Sequence, residues 1–208
     1  MIIYSGATVG ASREEYYSKY NLGIMISSTR TRYPSPYFTN YRCALDNGAF
    51  SQFRSGYPFQ EIVFLDCMAK CYEMKIKLDF IVCPDIVAGG KKSLDFSMRW
   101  TDRLICDNLA LVVQDGMEPS DLSTNILEKF AVIFVGGSKA WKWDTAEQWV
   151  DFAHHHGKLC HIGQAGTLNA LRNAQKYQAD SVDSTSWAVN RSWHILEEFT
   201  NPKQRRLF

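Results

Sequence analysis

The chain has 208 residues, of which 46% are apolar and 22% charged, and its formal net charge at neutral pH is +1. This composition is typical of one domain with a large core, and it excludes a disordered chain and any global attraction to nucleic acid or membranes. No apolar run reaches about 18 residues, so we predict no transmembrane helix, and no signal peptide is recognisable. The six cysteines lie mostly in apolar segments, which favours buried thiols in the cytoplasm.

Strands and helices are predicted to alternate along the chain. In the first half, apolar runs predict strands at 2–5, 22–27 and 42–46, and helical periodicity predicts helices at 11–20 and 59–75. In the second half, strands are predicted at 80–85, 109–115, 131–137, 158–163 and 180–184. Helices are predicted between these strands, and Asp144 with Glu147 resembles a capping box that opens a helix over 144–157. No clear helix is predicted between residues 28 and 58.

Eight apolar strands separated by helices predict a parallel sheet. We therefore expect an α/β fold in which residues 1–208 form one compact (β/α)8 barrel of the TIM type. An open, doubly wound sheet is the alternative.

Polar residues and glycines recur where these strands end, and in both folds such ends meet at one rim. They are Asp46, Asp85, Gln114, Asp115, Gly136, Gly137, His161, Gln164 and Asp183. A single aspartate after a strand is also typical of a helix N-cap or a turn, and Asn47-Gly48 is also a hairpin signal. Their repetition favours a functional site.

The order of these motifs resembles the tRNA-guanine transglycosylase family. The stretch LDNGAFSQ (45–52) is similar to the family motif with the general acid/base aspartate, and CPD (83–85) to its base-reading acidic motif. VVQDG (112–116) resembles the strand end that supplies an amide, and FVGGS (134–138) the following glycine pair. HIGQAGTLNALRNAQKYQADSVDS (161–184) resembles the run that ends on the nucleophilic aspartate. The chain lacks the family's zinc subdomain after that residue, which makes it more similar to compact phage and bacterial relatives that modify DNA.

The resemblance implies exchange of guanine in DNA for a 7-deazaguanine, such as 7-cyano-7-deazaguanine, through a covalent aspartyl-glycosyl intermediate. Asp183 is then the nucleophile and Asp46 the general acid/base. The implied base-binding residues are Asp85, Gln114, Gly136, Gly137, Phe50 and His161. No metal or other cofactor is expected, and the compartment is the cytoplasm, that of the host if the chain is of phage origin.

Basic residues that follow the predicted strand ends are candidates for contacts with the nucleic-acid backbone. They are Arg30, Arg32, Arg54, Lys91, Lys92, Lys139, Lys142 and Arg191. Trp141 and Trp143 alternate with two of these lysines and indicate a nucleic-acid or partner surface. Three other functions stay open at this point: a related enzyme acting on RNA, a two-carboxylate N-glycoside or nucleoside hydrolase, and an inactive nucleic-acid-binding relative.

Overall fold

The computed structural model describes residues 1–6, 13–29, 34–104, 106 and 108–201. Eight parallel strands close into a barrel in sequence order, β1 to β8, and β8 pairs with β1. The strands are β1 (Ile2–Gly6), β2 (Gly23–Ser27), β3 (Cys43–Asp46), β4 (Leu78–Val82), β5 (Leu109–Val113), β6 (Val132–Val135), β7 (Leu159–Ile162) and β8 (Ser181–Ser184). The predicted (β/α)8 barrel is thus confirmed, and the open sheet is wrong.

The described α-helices lie between the strands and after β8. They are α1 (Glu14–Lys19), α2 (Ala49–Arg54), α3 (Glu61–Glu73), α4 (Lys91–Thr101), α5 (Thr124–Leu127), α6 (Lys139–His155), α7 (Leu168–Lys176), α8 (Ser186–Val189) and α9 (Trp193–Thr200). Between β2 and β3, the described residues hold a 3-10 helix, Pro36–Asn40, in place of an α-helix. None of the helices in the described ranges has the length and apolarity that a membrane crossing needs.

Helix α6 begins five residues before the predicted capping box. Its N-cap is Ser138, whose N–H and hydroxyl both donate to the Asp115 carboxylate at 2.6 Å. Asp144 therefore lies inside the helix. Trp141 and Trp143 belong to the first turns of α6, where both are half-buried against the core, so only part of each ring is open to the nucleic-acid or partner contact predicted for them.

Two apolar layers hold the barrel together. The outer layer lies between strands and helices and includes the fully buried Trp149 and Trp187. The inner layer fills the barrel and includes Tyr4, Met25 and Phe80. Alternate residues of each strand supply the two layers, which explains why these strands read as continuous apolar runs. Burial of both strand faces makes the barrel a rigid frame for the loops at its carboxyl end.

Polar groups close the amino-terminal end of the barrel. Tyr4 is 1% exposed, and its hydroxyl donates to Asp79 Oδ2 at 2.6 Å. Arg42 donates to the same oxygen from Nε at 3.0 Å. Burial and the adjacent Asp79 carboxylate raise the pKa of the Tyr4 phenol. The Tyr4 hydroxyl and the Asp79 carboxylate are therefore both hydrogen-bonded at this end of the interior.

Candidate active site

The carboxyl end of the barrel holds two inward-facing carboxylates. In the strand register, Tyr4 pairs with Asp183 and Gly23, and Asp46 pairs with Ser27. An eight-stranded barrel is staggered by about one residue per strand, so alternate strands supply each interior layer. With this stagger, the interior layer that contains Asp183 also contains Met25, Val82 and Phe134. The next interior layer, nearer the carboxyl end of the barrel, contains Gly6, Asp46, Val112 and Gly163. Two of the four residues in this outer layer are glycines, which leaves the mouth open above Asp183.

Asp183 is fixed through one of its two oxygens. His161 Nε2 lies 3.1 Å from Oδ1, and the Gln164 backbone N–H donates to the same oxygen at 3.1 Å. No hydrogen bond reaches Oδ2 from the residues that the structure describes. The Asp183 side chain is 15% exposed. The carboxylate is thus held in orientation through Oδ1, and Oδ2 has no hydrogen bond from the described residues.

His161 lies beneath Asp183, inside the barrel. It is fully buried, and its ring contacts Phe134 at a centroid distance of 4.5 Å and Phe80 at 5.2 Å. Nδ1 is 2.8 Å from the Ser181 hydroxyl. A neutral imidazole that donates from Nε2 to the carboxylate accepts at Nδ1 from this serine. His161 is therefore placed to orient Asp183 from below, whereas the family resemblance implied that it binds the base.

Asp85 lies three residues past the end of β4 and is 7% exposed. Its Oδ1 accepts from Asn47 Nδ2 at 2.9 Å, and its Oδ2 lies 3.4 Å from Gln114 Nε2. Burial raises the pKa of Asp85 to about 6, although both amides favour the ionised form. At neutral pH the carboxyl group is therefore ionised, and it accepts hydrogen bonds from two neutral amides.

The Asn47-Gly48 pair joins β3 to helix α2 and forms no hairpin. Asn47 is buried, donates to the Cys83 carbonyl as well as to Asp85, and accepts from the Ala49 N–H at 2.8 Å. Gly48 has φ of +80°, and a Cβ there would lie 2.5 Å from the Ser28 hydroxyl. This asparagine ties the ends of β3 and β4 together. The contact between Asn47 and Asp85 was not predicted from the sequence, because the Asn-Gly motif alone indicates a turn.

Gln114 supports the segment around Asp85. It is 2% exposed, its Nε2 also donates to the Ile86 carbonyl at 3.0 Å, and its Oε1 accepts from the Gly89 N–H at 3.2 Å. All these contacts fall within residues 85–89. The amide predicted to bind a base is thus committed to Asp85 and its loop.

The glycine pair after β6 divides into two roles. The Gly136 N–H donates to the Val113 carbonyl at 2.9 Å, so this predicted base donor is used within the sheet. Gly137 has φ of +74°, and a Cβ there would lie 2.6 Å from Asp115 Oδ2 and 2.8 Å from the Trp141 ring. The Gly137 N–H has no hydrogen-bond partner in the described ranges. Gly137 is therefore the member of the pair whose N–H is not used by another described residue.

Exposed aromatic side chains flank the mouth. Phe50 and Phe53 on α2 are 44% and 54% exposed, and Tyr57 after this helix is 60% exposed. Beside them lies a cavity of about 570 Å³ that Asp85 also lines. Its other lining residues include Phe53, Tyr57, Ile86, Phe96, Arg99 and Arg103. The cavity thus combines flat apolar surfaces with Arg99 and with Arg103, which pairs with Glu61 in the same lining.

The predicted backbone contacts differ in their surroundings. Arg54, Lys92, Lys139 and Arg191 are exposed, and Lys91 is exposed but pairs with Asp121 at 2.6 Å. Arg30 and Arg32 lie outside the described residues. Lys142 is only 4% exposed, and its Nζ donates to the Gly163 carbonyl at 2.6 Å, so it is not the surface cation expected from the sequence. Burial lowers the pKa of Lys142, while the nearby Asp183 and Asp115 carboxylates oppose that shift.

The described residues hold no group of three or more histidine, cysteine or acidic side chains placed to bind a metal ion. All six cysteines are free thiols. No protein-family model and no curated protein matches this chain. The function is therefore argued from the site itself.

Proposed function

We propose that this protein is a base-exchange transglycosylase that replaces guanine in DNA with a 7-deazaguanine derivative. The observation that carries the proposal is the pair Asp183 and Asp46, which occupy adjacent layers of one open barrel mouth. Asp85, buried beside that mouth, supplies a third carboxylate for recognition of the base. Two carboxylates facing one site are suited to displacement at a glycosidic carbon through a covalent intermediate.

In the first step Asp183 Oδ2 attacks C1′ of the target deoxyribose. The C1′–N9 bond breaks, its electron pair goes to guanine, and Asp46 donates a proton to the departing base. In the second step N9 of the incoming base gives its proton to Asp46 and attacks C1′, and Asp183 leaves as a carboxylate. His161 and the Gln164 N–H hold Oδ1 throughout, which keeps Oδ2 as the reacting atom.

Asp85 recognises guanine by accepting hydrogen bonds from N1–H and the exocyclic amine. Adenine has an acceptor at N1, so it does not complement an ionised carboxylate. Asn47 and Gln114 orient this carboxylate without neutralising its charge. A 7-deazaguanine keeps the same donor edge, so both the departing and the incoming base satisfy one pocket.

A polymer substrate is supported by the surface beside the mouth. Phe50, Phe53 and Tyr57 offer stacking faces, and exposed Arg54 and Arg99 lie on the helices that carry or flank them. The reacting guanine must leave a duplex for its sugar to reach Asp183, and stacking on these rings compensates the lost base stacking. The free thiols fit a reducing compartment, and we place the reaction in the cytoplasm.

The test is incorporation of radiolabelled guanine into DNA and into RNA of matched sequence. We expect uptake into DNA by the wild type and none by D183N. Uptake into RNA alone would make the polymer assignment wrong. Abasic sites formed without uptake of the label would indicate an N-glycoside hydrolase. Binding of the polymer without exchange, insensitive to D183A, would indicate an inactive nucleic-acid-binding relative.

A further inference from the structure

One peptide group connects a buried lysine to Asp183. Lys142 Nζ donates to the Gly163 carbonyl at 2.6 Å. The N–H of the same peptide group, that of Gln164, donates to Asp183 Oδ1 at 3.1 Å. The carbonyl and the N–H of one peptide are joined by resonance. A positively charged group that is hydrogen-bonded to the carbonyl oxygen therefore strengthens the N–H as a donor to Asp183.

The backbone around this peptide is constrained. Gln164 has φ of +58°, a left-handed conformation that costs a non-glycine residue about 1–2 kcal/mol. A Cβ at Gly163 would lie 2.7 Å from the Phe134 ring and 3.5 Å from Asp183 Oδ1, so a side chain there would push the peptide away. The glycine and the left-handed turn together aim the Gln164 N–H at the carboxylate.

Lys142 itself is an unusual residue to bury. It is 4% exposed, and within the described chain the only hydrogen bond of its ammonium group is to a neutral carbonyl. Buried lysines are rare unless an opposite charge is near. The charges that act on Lys142 are the carboxylates of Asp183 on β8 and of Asp115 after β5. Asp115 already accepts two hydrogen bonds from Ser138.

We propose that Lys142 is a positioning residue for the transglycosylase reaction, acting on Asp183 through the Gly163–Gln164 peptide. Its charge strengthens the donor that fixes Oδ1 and offsets the negative charge of the nearby Asp183 and Asp115 carboxylates. The lysine does not touch the substrate. This inference rests on the proposed function for its kinetic consequence, but the coupling between Lys142 and Asp183 does not.

The kinetic test uses K142M, which removes the charge and the donor while keeping a chain of similar length. We expect kcat to fall about 10-fold with KM for the polymer unchanged. Because the pKa of Lys142 is lowered by burial, the wild type should also lose activity at high pH earlier than an ordinary lysine would allow. In the pH profile of K142M, this loss of activity at high pH (the alkaline limb) should be missing. K142Q, which keeps a donor without a charge, provides the same test if K142M does not fold, and K176M on the exposed part of α7 is the control.

A second measurement does not need activity. Urea midpoints are compared for the wild type, D183N, K142M and the double variant. We expect D183N to lower the midpoint in the wild-type background, and to lower it less, or raise it, in the K142M background. Equal shifts in both backgrounds, or an alkaline limb that persists in K142M, would overturn the proposal. Non-additive midpoints in a protein that exchanges no base would instead refute the proposed function and leave the coupling intact.

Discussion

Asp79 and Asp183 lie at opposite ends of the same barrel interior, and their partners differ. Asp79 accepts hydrogen bonds from the Arg42 guanidinium on both of its oxygens and from the buried Tyr4 hydroxyl on Oδ2. Asp183 is held through Oδ1 alone, by His161 and a peptide N–H, beneath a layer that contains two glycines. The first arrangement uses both carboxylate oxygens, and the second leaves Oδ2 without a hydrogen bond from the described residues. Under the proposed function, the first carboxylate serves stability and the second serves chemistry.

The largest expected effect is that of D183N on catalysis. We expect kcat for base exchange to fall by at least about 10⁴-fold, because the amide cannot form the glycosyl ester. Substrate binding should persist, since neither base recognition nor stacking uses Oδ2. Exchange rates together with polymer binding measured by fluorescence anisotropy check this. Retention of wild-type kcat would exclude Asp183 as the nucleophile.

Replacement of Asp85 should act on base binding. D85N removes two charge-assisted hydrogen bonds to guanine, so KM for the free base should rise about 100-fold or more. In the wild type the same KM should rise as the pH falls below about 6, where the raised pKa of Asp85 leads to its protonation. Steady-state kinetics between pH 5 and 8 give both values. A KM that stays flat across this range would contradict the assignment.

The free energy of unfolding should depend on the same protonation of Asp85. Because the pKa of Asp85 is raised from 3.8 to about 6 on folding, folding takes up a proton between these values. The free energy of unfolding of the wild type should therefore fall relative to that of D85N as the pH rises from 4 to 6, by about 2 kcal/mol. Urea unfolding of both proteins across this range measures the difference. The opposite slope would show that burial does not dominate at this site.

At the amino-terminal end of the barrel, D79A should lower the free energy of unfolding and leave kcat unchanged. The Tyr4 hydroxyl, in a residue that is 1% exposed, loses its acceptor, which costs about 1–3 kcal/mol of unfolding free energy. Thermal and urea unfolding measure this loss, and kcat is compared at a temperature where both proteins are folded. A large fall in kcat for folded D79A would remove the functional contrast between the two ends.

The smallest expected effect concerns the exposed aromatic residues beside the mouth. F53A should raise KM for the polymer about 5-fold or more through lost stacking, with kcat and KM for the free base unchanged. Y72A is the matched control, since Tyr72 near the end of α3 is 48% exposed but does not line the cavity. Equal effects of the two variants would exclude a specific contact of Phe53 with the polymer.

The barrel and the positions of its polar strand ends could be predicted from the sequence, because apolar runs separated by helices specify a parallel sheet. The partners of those polar residues could not. Asn47 clamps Asp85, the Gly136 N–H pairs within the sheet, and Lys142 turns inward to Gly163. Each contact joins segments far apart in the chain and depends on the stagger of the strands. Likewise, the start of α6 is set by Asp115, 23 residues before Ser138, so the local Asp144 capping pattern gave the wrong boundary.

The central claim is that Asp183 forms a covalent bond to the sugar during base exchange. The direct measurement is mass spectrometry of the protein quenched in acid during reaction with a guanine-containing oligonucleotide. We predict an adduct whose mass equals that of the protein plus the oligonucleotide less guanine, located by proteolysis at Asp183 and missing from D183N. Base exchange at the wild-type rate with no adduct, or an adduct at another residue, would contradict the account.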